Sequence, residues 1–163
     1  MPRDVAPSPS TADDLVIRDA TEADLGRLAE LMNLGGVPGR APRETPGDPA
    51  PYAHALREIH GSDGGVLVAQ LDGEVVGVCQ LIVFRHLQAR GGRCAEIESV
   101  HVHPDWRARG IGTELMEAAI ARARAAGCYR VQLTSNEVRH DAHRFYERLG
   151  LTASHLGFKL SLE

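Results

Sequence analysis

Apolar residues along the chain fall into short β-rich runs that are separated by polar turns. Two neighbouring runs, Gly65–Leu71 and Glu74–Phe84, flank Asp72-Gly73. Asp-Gly readily adopts the positive φ angles that a two-residue turn needs, so these runs predict a β-hairpin. Further strands are predicted at Leu15–Arg18, Ala95–His103, Tyr129–Thr134 and Phe158–Leu162.

Helical periodicity appears between these strands. Thr21 followed by Asp24 marks a helix start, after which Leu25, Leu28 and Leu31 recur at helical spacing. The longest apolar stripe lies on the alanine-rich helix predicted at Ile111–Ala126, which Gly127 ends. Further helices are predicted at Tyr52–His60 and between Asp141 and Gly150.

This order of elements predicts a fold class. A hairpin followed by helical crossovers indicates an α/β (α+β) domain with a mixed central sheet of about six to seven strands and helices on both faces. We expect one domain over residues 15–163, preceded by a disordered leader over residues 1–14 that is rich in Pro, Ser, Asp and Ala. The proline-rich segment Gly35–Pro51 reads as a long loop, whose role the sequence leaves open.

Composition narrows the class of protein. Hydrophobic residues make up 43% and charged residues 25% of the 163 residues, which is typical of a globular domain. A net charge of −4 argues against a nucleic-acid partner, and the apolar runs are too short for a membrane span. Cys79, Cys94 and Cys128 form no pairing motif, so we expect free thiols and a cytoplasmic location.

The strongest candidate for a functional site lies where a strand leads into the alanine-rich helix. Amides at a helix start are unpaired, and the helix dipole makes that end positive. Gly110 and Gly112 would let an anion approach the main chain, while Arg107 and Arg109 add positive charge. The pattern suits a pyrophosphate, although an ordinary glycine turn with solvated arginines has the same residues. Leu115 replaces the third glycine of a dinucleotide fingerprint, which excludes that motif.

Two motifs together resemble the GNAT N-acetyltransferases. Arg107-x-x-Gly110-x-Gly112, after a Glu-x-Val-x-Val strand and a proline, resembles the acetyl-coenzyme A loop of that family. The family's closing strand and helix resemble the segment after Val131, which contains Asn136 and then Ala142-x-x-Phe145-Tyr146-Glu147-x-x-Gly150. The resemblance implies a GNAT-type fold and transfer of an acetyl group from acetyl-CoA to a primary amine, by direct attack in a ternary complex.

The resemblance also implies a cofactor site made mostly of main-chain groups. Val100 and Val102 would pair with the pantetheine arm as an added strand does, and amides of Ala108–Thr113 would hold the pyrophosphate. The strands around Val100 and Val131 would part to admit the thioester. The implied cofactor-binding residues are Val100, Val102, Arg107, Ala108, Arg109, Gly110, Ile111, Gly112, Thr113 and Asn136.

Tyr146 is the candidate general acid, because it stands where the family often places the phenol that protonates the departing thiolate. Periodicity alone would instead make it a core aromatic, since it shares a helix face with Ala142 and Leu149.

Glu98 is the candidate base, because a half-buried strand carboxylate can have a raised pKa and accept a proton directly or through water. Strand alternation predicts Glu96, Glu98, Val100 and Val102 on one face, which leaves Glu96 as the competing base.

Histidine pairs at 101/103 and 140/143 raise the question of a metal, but no cysteine or carboxylate cluster joins them at ligand spacing, so none is predicted.

The acceptor is the least defined part of the prediction. The resemblance over Asn136–Tyr146 favours small amines such as aminophosphonates, amino sugars or aminoglycosides, and Arg139 and Arg144 would suit an anionic one. The first helices and the Gly35–Pro51 loop would form the acceptor wall. Alternatives are a peptide or protein N-terminus as acceptor, a non-catalytic acyl-CoA sensor, and a nucleotide-binding protein. Family members are commonly homodimers, but the residues themselves do not decide the oligomeric state.

Overall fold

The structure is a computed structural model that describes residues 14–36 and 41–162. Almost all of the predicted leader and residues 37–40 of the predicted loop lie outside the described residues. In the described part of the chain, no helix has the length and apolar character needed to cross a membrane.

One mixed sheet forms the centre of the fold, and its strands are ordered as in the sequence. Neighbouring strands from β1 to β4 are antiparallel, whereas β4 and β5 are parallel. The predicted hairpin turn is confirmed, with φ angles of 50° at Asp72 and 84° at Gly73. The strands are β1 (Val16–Asp19), β2 (Gly65–Leu71), β3 (Glu74–Arg85), β4 (Arg93–Val102) and β5 (Cys128–Gln132).

Helices cover both faces of the sheet, as predicted. They are α1 (Leu25–Leu34), α2 (Ala50–His60), α3 (Ile111–Ala125) and α4 (His140–Arg148). On one face, Leu81 and Ile97 pack with Leu115 of α3, and we call this group the α3 cluster. Helix α4 adds half-buried aromatic residues to it. On the other face, Val68 packs with Leu28 of α1 and other residues of α1 and α2. Each helix turns its apolar stripe toward the sheet, so burial of that stripe fixes the helix in place.

The strand predicted at Phe158–Leu162 does not form, so the described sheet has five strands rather than six to seven. The chain after α4 contains neither helix nor strand through Leu162, and the side chain of Phe158 is 91% exposed. An alternating sequence becomes a strand only when a neighbouring edge supplies hydrogen bonds. None of the described strands supplies that edge to this segment.

Candidate active site

The sheet opens between its two parallel strands. Pairing of β4 with β5 ends at Glu96 and Gln132, whereas β4 runs on to Val102. Among the described strands, Ile97–Val102 therefore has a neighbour on one side only, which is β3. We call the gap between Ile97–Val102 and the chain leaving β5 after Gln132 the β4–β5 cleft. Val131 still pairs with Ala95, so the strands part just beyond it.

A bulge in β4 controls which side chains face the cleft region. Glu98 lies opposite Gln80, but His101 lies opposite Val78, so β4 has one residue more than β3 between these pairs. Ser99 accommodates the extra residue with a φ of 53°. A bulge inverts the alternation beyond it, so Glu98 and His101 lie on the same face of the sheet although they are three residues apart.

The prediction that Glu96, Glu98, Val100 and Val102 share one face is therefore wrong. Val100 and Val102 pack against the α3 cluster, on the same side as Ile97. The two glutamates lie on the opposite face, as the register with β3 shows. The prediction assumed that side chains alternate between the two faces along the whole of β4. The extra residue at the bulge reverses that alternation for every residue beyond it.

Main-chain groups of β4 face the open side of the cleft. His103 donates its N–H to the carbonyl of Val76 on β3, at 2.9 Å. Because backbone groups alternate in direction along a strand, those of Val102 point away from β3 toward the cleft, and those of Val100 do the same. The Nε of Arg107 donates to the Val102 carbonyl at 3.1 Å. A free strand edge of this kind can pair with an extended ligand.

The cleft leads to the start of α3. The carbonyl of Gly110 accepts the first helical hydrogen bond, from the Glu114 amide at 3.1 Å. The amides of Ile111–Thr113 precede that bond and lie at the positive end of the helix dipole. Ala108 and Gly110 have φ angles of 59° and 83°, which turn the chain sharply into the helix. Such a turn presents several amides to one anion.

Arginine side chains flank this turn. The guanidinium carbon of Arg109 lies 4.7 Å from the centre of the Trp106 ring, so a cation–π contact holds the side chain in place. Arg107 is held by its bond to the Val102 carbonyl. Both arginines lie within a few residues of the free amides, and together they make this end of the cleft suitable for a diphosphate.

Gly112 packs closely against α4 and the edge of β4. A Cβ at this position would lie 3.3 Å from Cζ of Phe145 and 3.7 Å from Cγ2 of Val102. The glycine therefore lets α3 approach α4 and the edge of β4. Any side chain longer than a methyl group would have to enter the space between Phe145 and Val102, which borders the cleft.

Glu96 and Glu98 lie on the face of β4 opposite Val100 and Val102. Glu96 accepts a hydrogen bond from Nε2 of Gln132 at 3.2 Å. Burial is the main cause of a raised pKa at Glu98. A hydrogen bond with Glu96 and the negative charge of Glu96 raise that pKa further, whereas the positive charge of Lys159 lowers it. Glu98 therefore holds a proton at a higher pH than an ordinary glutamate, which makes it a stronger proton acceptor than an ordinary carboxylate.

Tyr146 lies on α4, half-buried beside Phe145 with their ring centres 5.2 Å apart. Burial is the main cause of a raised pKa at its phenol, Arg139 opposes the rise, and the charge of Glu98 adds to it. The phenol therefore stays protonated at neutral pH and can act as a proton donor. The ring also packs against the α3 cluster, so the core role that periodicity predicts is present as well.

His101 is a neighbour of this site that sequence reasoning considered only as a metal ligand. Burial, together with the charges of Arg139 and Arg107, lowers the pKa of its imidazole to about 4, so it is neutral at neutral pH. Its Nδ1 is buried without a hydrogen-bond partner among the described residues. A Cβ on Gly35 would lie 1.9 Å from that nitrogen, so only glycine permits this approach of α1 to β4.

Asn136 lies in the turn between β5 and α4. Its Oδ1 accepts from the Val138 amide at 3.1 Å, and its carbonyl accepts from the Arg139 amide at 3.0 Å. The carbonyl also contacts Nε2 of His143 at 2.9 Å. The side chain thus shapes the turn that places Arg139 near the cleft.

Within residues 14–36 and 41–162, no group of three His, Cys, Asp or Glu residues could hold a metal ion.

Comparison with known proteins shows which family this chain belongs to. The model of the acetyltransferase (GNAT) family matches residues 29–151. The chain belongs to the GNAT family. The match includes the cleft, the α3 turn and α4, and it extends into α1, well beyond the residues that carried the resemblance in the sequence.

Individual relatives of this GNAT protein are N-acetyltransferases. Glucosamine 6-phosphate N-acetyltransferase of Trypanosoma brucei brucei is 33% identical over 150 residues, which cover 91% of this chain and 97% of that protein. Aminoalkylphosphonate N-acetyltransferase of Salmonella typhimurium is 39% identical over 95 residues, 58% of this chain. The matched part is 61% of the Salmonella protein, so less than two thirds of its length is spanned.

A solved structure has the same fold. It is that of a transcriptional regulator from Bacillus halodurans C-125, with a TM-score of 0.82 and 39% identity over 91% of this chain and 99% of the other. Family and relatives together identify this GNAT protein as an N-acetyltransferase. The predicted family and enzyme class are therefore confirmed.

Proposed function

We propose that this GNAT protein transfers an acetyl group from acetyl-CoA to the primary amine of a small anionic molecule. The observation that carries the proposal is the free edge of β4 at Ile97–Val102, which leads to the unpaired amides at the start of α3. An extended pantetheine arm would pair with the edge at Val100 and Val102. A pyrophosphate would be held by the amides of residues 108–113, with the side chains of Arg107 and Arg109 beside it.

The mechanism follows from the two titratable groups near the inner end of the cleft. Glu98 takes a proton from the acceptor ammonium, directly or through water, so that the amine lone pair becomes free. The amine attacks the thioester carbonyl, and collapse of the tetrahedral adduct breaks the carbon–sulfur bond. Tyr146 donates its proton to the departing thiolate. Its phenolate regains a proton as the nitrogen of the new amide loses one through solvent, so the products are the amide and free CoA. No covalent intermediate with the protein is needed.

The charges around the site support an anionic acceptor. The charge of Arg139 contributes to the pKa shifts of both His101 and Tyr146, so a positive charge lies within electrostatic range of the reacting groups. Arg144 instead pairs with Asp141 on the exposed side of α4, which makes it the weaker candidate. The relatives named above act on an aminoalkylphosphonate and on glucosamine 6-phosphate, each of which joins an amine to a phosphorus oxyanion.

The proline-rich loop is proposed as part of the acceptor wall. Its described part is anchored to α1, because Asn33 exchanges two hydrogen bonds of 3.1 Å with the main chain of Glu44. Tyr52 of α2 adds a hydrogen bond from its hydroxyl to the Glu44 carboxylate at 3.0 Å. This described part of the loop is therefore held to α1 and α2, on the same face of the sheet as Glu98 and His101.

Thiol release with a panel of amines tests the proposal. The panel pairs glucosamine 6-phosphate with glucosamine, and an aminoalkylphosphonate with the matching unsubstituted alkylamine. We expect the anionic member of each pair to have the higher kcat/KM. Equal values within both pairs would contradict an anionic acceptor. A peptide with a free N-terminus is added to the panel, and a higher kcat/KM for it than for any small amine would point to a protein N-terminus.

A second role as an acyl-CoA sensor is the outcome to test against the proposal, since the Bacillus halodurans relative is a transcriptional regulator. Calorimetric binding of acetyl-CoA without turnover on any amine would favour the sensor. Binding of ATP in place of acetyl-CoA would instead favour a nucleotide-binding protein.

Replacing Glu96 by glutamine should lower the pH at which activity appears. Glu96 raises the pKa of Glu98, so without its charge Glu98 loses its proton at lower pH and the acid limb of kcat/KM shifts downward. The limb is measured with one amine throughout, because the ionisation of that amine is then constant. Glu117→Gln, an exposed change on α3, is the control and should leave the limb in place. An unshifted limb in E96Q would argue against Glu98 as the base.

A further inference from the structure

One ring nitrogen of His101 lies directly against the end of α1. If Gly35 carried a Cβ, that atom would lie 1.9 Å from Nδ1 of His101 and 2.7 Å from both Cγ and Cε1. The two equal distances place Gly35 on the axis along which Nδ1 would form a hydrogen bond. Nδ1 is buried and has no hydrogen-bond partner among the described residues. The group that this nitrogen faces is therefore a C–H of Gly35.

This contact decides which nitrogen of His101 carries the proton. A bare Nδ1 can accept a weak contact from a C–H group, whereas a proton on Nδ1 would collide with that group. Burial, Arg139 and Arg107 lower the pKa of the imidazole to about 4, so at neutral pH the ring has a single N–H. That N–H is therefore at Nε2, on the side of the ring that faces away from α1, and it is a hydrogen-bond donor.

The charged groups around this donor are donors too. The charges that act on His101 belong to Arg139 and Arg107, and a guanidinium has no acceptor atom. Arg107 is already bonded to the carbonyl of Val102. Arg139 is half-buried, and in the part of the chain that the structure describes no carboxylate forms an ion pair with it. A half-buried positive charge beside an N–H donor suits an anion.

One small molecule can reach both His101 and the candidate base. Glu98 and His101 lie opposite Gln80 and Val78, which are two positions apart on β3. Two positions along a strand span about 7 Å. An acceptor whose amine lies at Glu98 can therefore place an anionic group at His101 when several bonds separate its two ends.

We propose that the Nε2–H of His101 and the guanidinium of Arg139 together bind the anionic group of the acceptor, so that His101 determines the preference for an anionic over a neutral amine. The inference rests on the proposed function, which is acetyl transfer to a small anionic amine. It adds the donor that contacts the anion, and it gives Gly35 a role, because the close approach of this glycine holds the imidazole in the orientation that presents Nε2.

His101→Phe tests the donor, because phenylalanine keeps a ring at this position and removes the N–H. The readout is the ratio of kcat/KM for glucosamine 6-phosphate to kcat/KM for glucosamine. We expect the ratio to fall by about 10-fold to 100-fold, the usual effect of removing a hydrogen bond to a charged group. His101→Gln can place an amide N–H near the position of Nε2 and should retain most of the ratio. His54→Phe, the same change at an exposed residue of α2, is the matched control and should leave the ratio unchanged.

NMR of the imidazole nitrogens tests the geometry without turnover. In the free wild type, the nitrogen chemical shifts of His101, assigned by comparison with His101→Phe, should be those of an Nε2–H tautomer. Inorganic phosphate and glucosamine 6-phosphate should each shift the Nε2 signal more than the Nδ1 signal. These measurements decide the matter even when His101→Phe does not fold, as judged by circular dichroism, or when no amine of the panel is acetylated.

The outcomes separate this inference from the proposed function. A folded His101→Phe variant with the wild-type ratio would overturn the role of His101 and leave acetyl transfer to an anionic amine in place. An Nδ1–H tautomer, or an Nε2 signal that neither anion shifts, would do the same. Loss of the ratio in His101→Gln as large as in His101→Phe would assign the effect to ring shape rather than to the donor, which also overturns the inference. Equal kcat/KM values for the two amines in the wild type would contradict both.

Discussion

Gly112→Asp is expected to weaken binding of acetyl-CoA by at least about 100-fold, or about 2.7 kcal/mol. A Cβ at this position already comes within 3.3 Å of Phe145 and 3.7 Å of Val102. The added carboxylate must therefore enter the space beside the free β4 edge where the pantetheine arm is proposed to lie. It also places a negative charge in the first turn of α3, where the proposed pyrophosphate would be repelled. Isothermal titration calorimetry with acetyl-CoA measures the change.

Gly47→Asp is the matched control for this substitution. Gly47 is exposed, and a Cβ there meets nothing within 4 Å, so affinity should not change. Crowding at Gly112 is also expected to destabilise the fold by about 1–3 kcal/mol, so both variants are compared at a temperature where circular dichroism shows them folded. A folded G112D protein with wild-type affinity would contradict the assignment of the cofactor to this corner.

Tyr146→Phe should lower kcat by about 100-fold or more while the dissociation constant of acetyl-CoA stays within about twofold, since a positioned general acid contributes roughly that factor. The phenylalanine ring preserves the packing of Tyr146 against Phe145 and the α3 cluster. The variant therefore removes the proton donor and leaves the shape of the site. Steady-state kinetics with the preferred amine gives kcat, and calorimetry gives the affinity.

The control for this change is Tyr129→Phe, which removes a phenol from the exposed side of β5. Its kcat should equal that of the wild type. If Tyr146→Phe were equally active, the tyrosine would be a packing residue and the thiolate would leave with a proton from water. If both binding and kcat fell together, the ring position rather than the hydroxyl would be the cause.

Features that depend on neighbouring residues in the sequence were predicted well. The stripe of α3 and the turn at Gly110 depend on residues within a few positions of one another, so periodicity and glycine placement were sufficient to predict them. The Asp72-Gly73 hairpin is another local feature, and it formed as predicted. The resemblance then added the functional meaning of the loop, which an isolated pair of glycines could not have supplied.

Features that depend on distant parts of the chain were not predicted. The bulge at Ser99 has no sequence signal, because serine rarely adopts a positive φ and only the ladder with β3 imposes it. His101 was missed for the same reason, since its position depends both on the bulge and on the approach of Gly35. The alternation over Phe158–Leu162 was visible, but a strand also needs an edge to pair with, and the sequence does not show where that edge lies.

The free edge of β4 has a consequence for handling the protein. Unsatisfied main-chain donors and acceptors on an exposed strand are a template on which other polypeptides can add, and natural sheets usually blunt such edges. In this protein, the molecule proposed to cover the edge is CoA, through its pantetheine arm. If CoA lies along this edge as proposed, preparations stripped of CoA should precipitate sooner on concentration than preparations saturated with it.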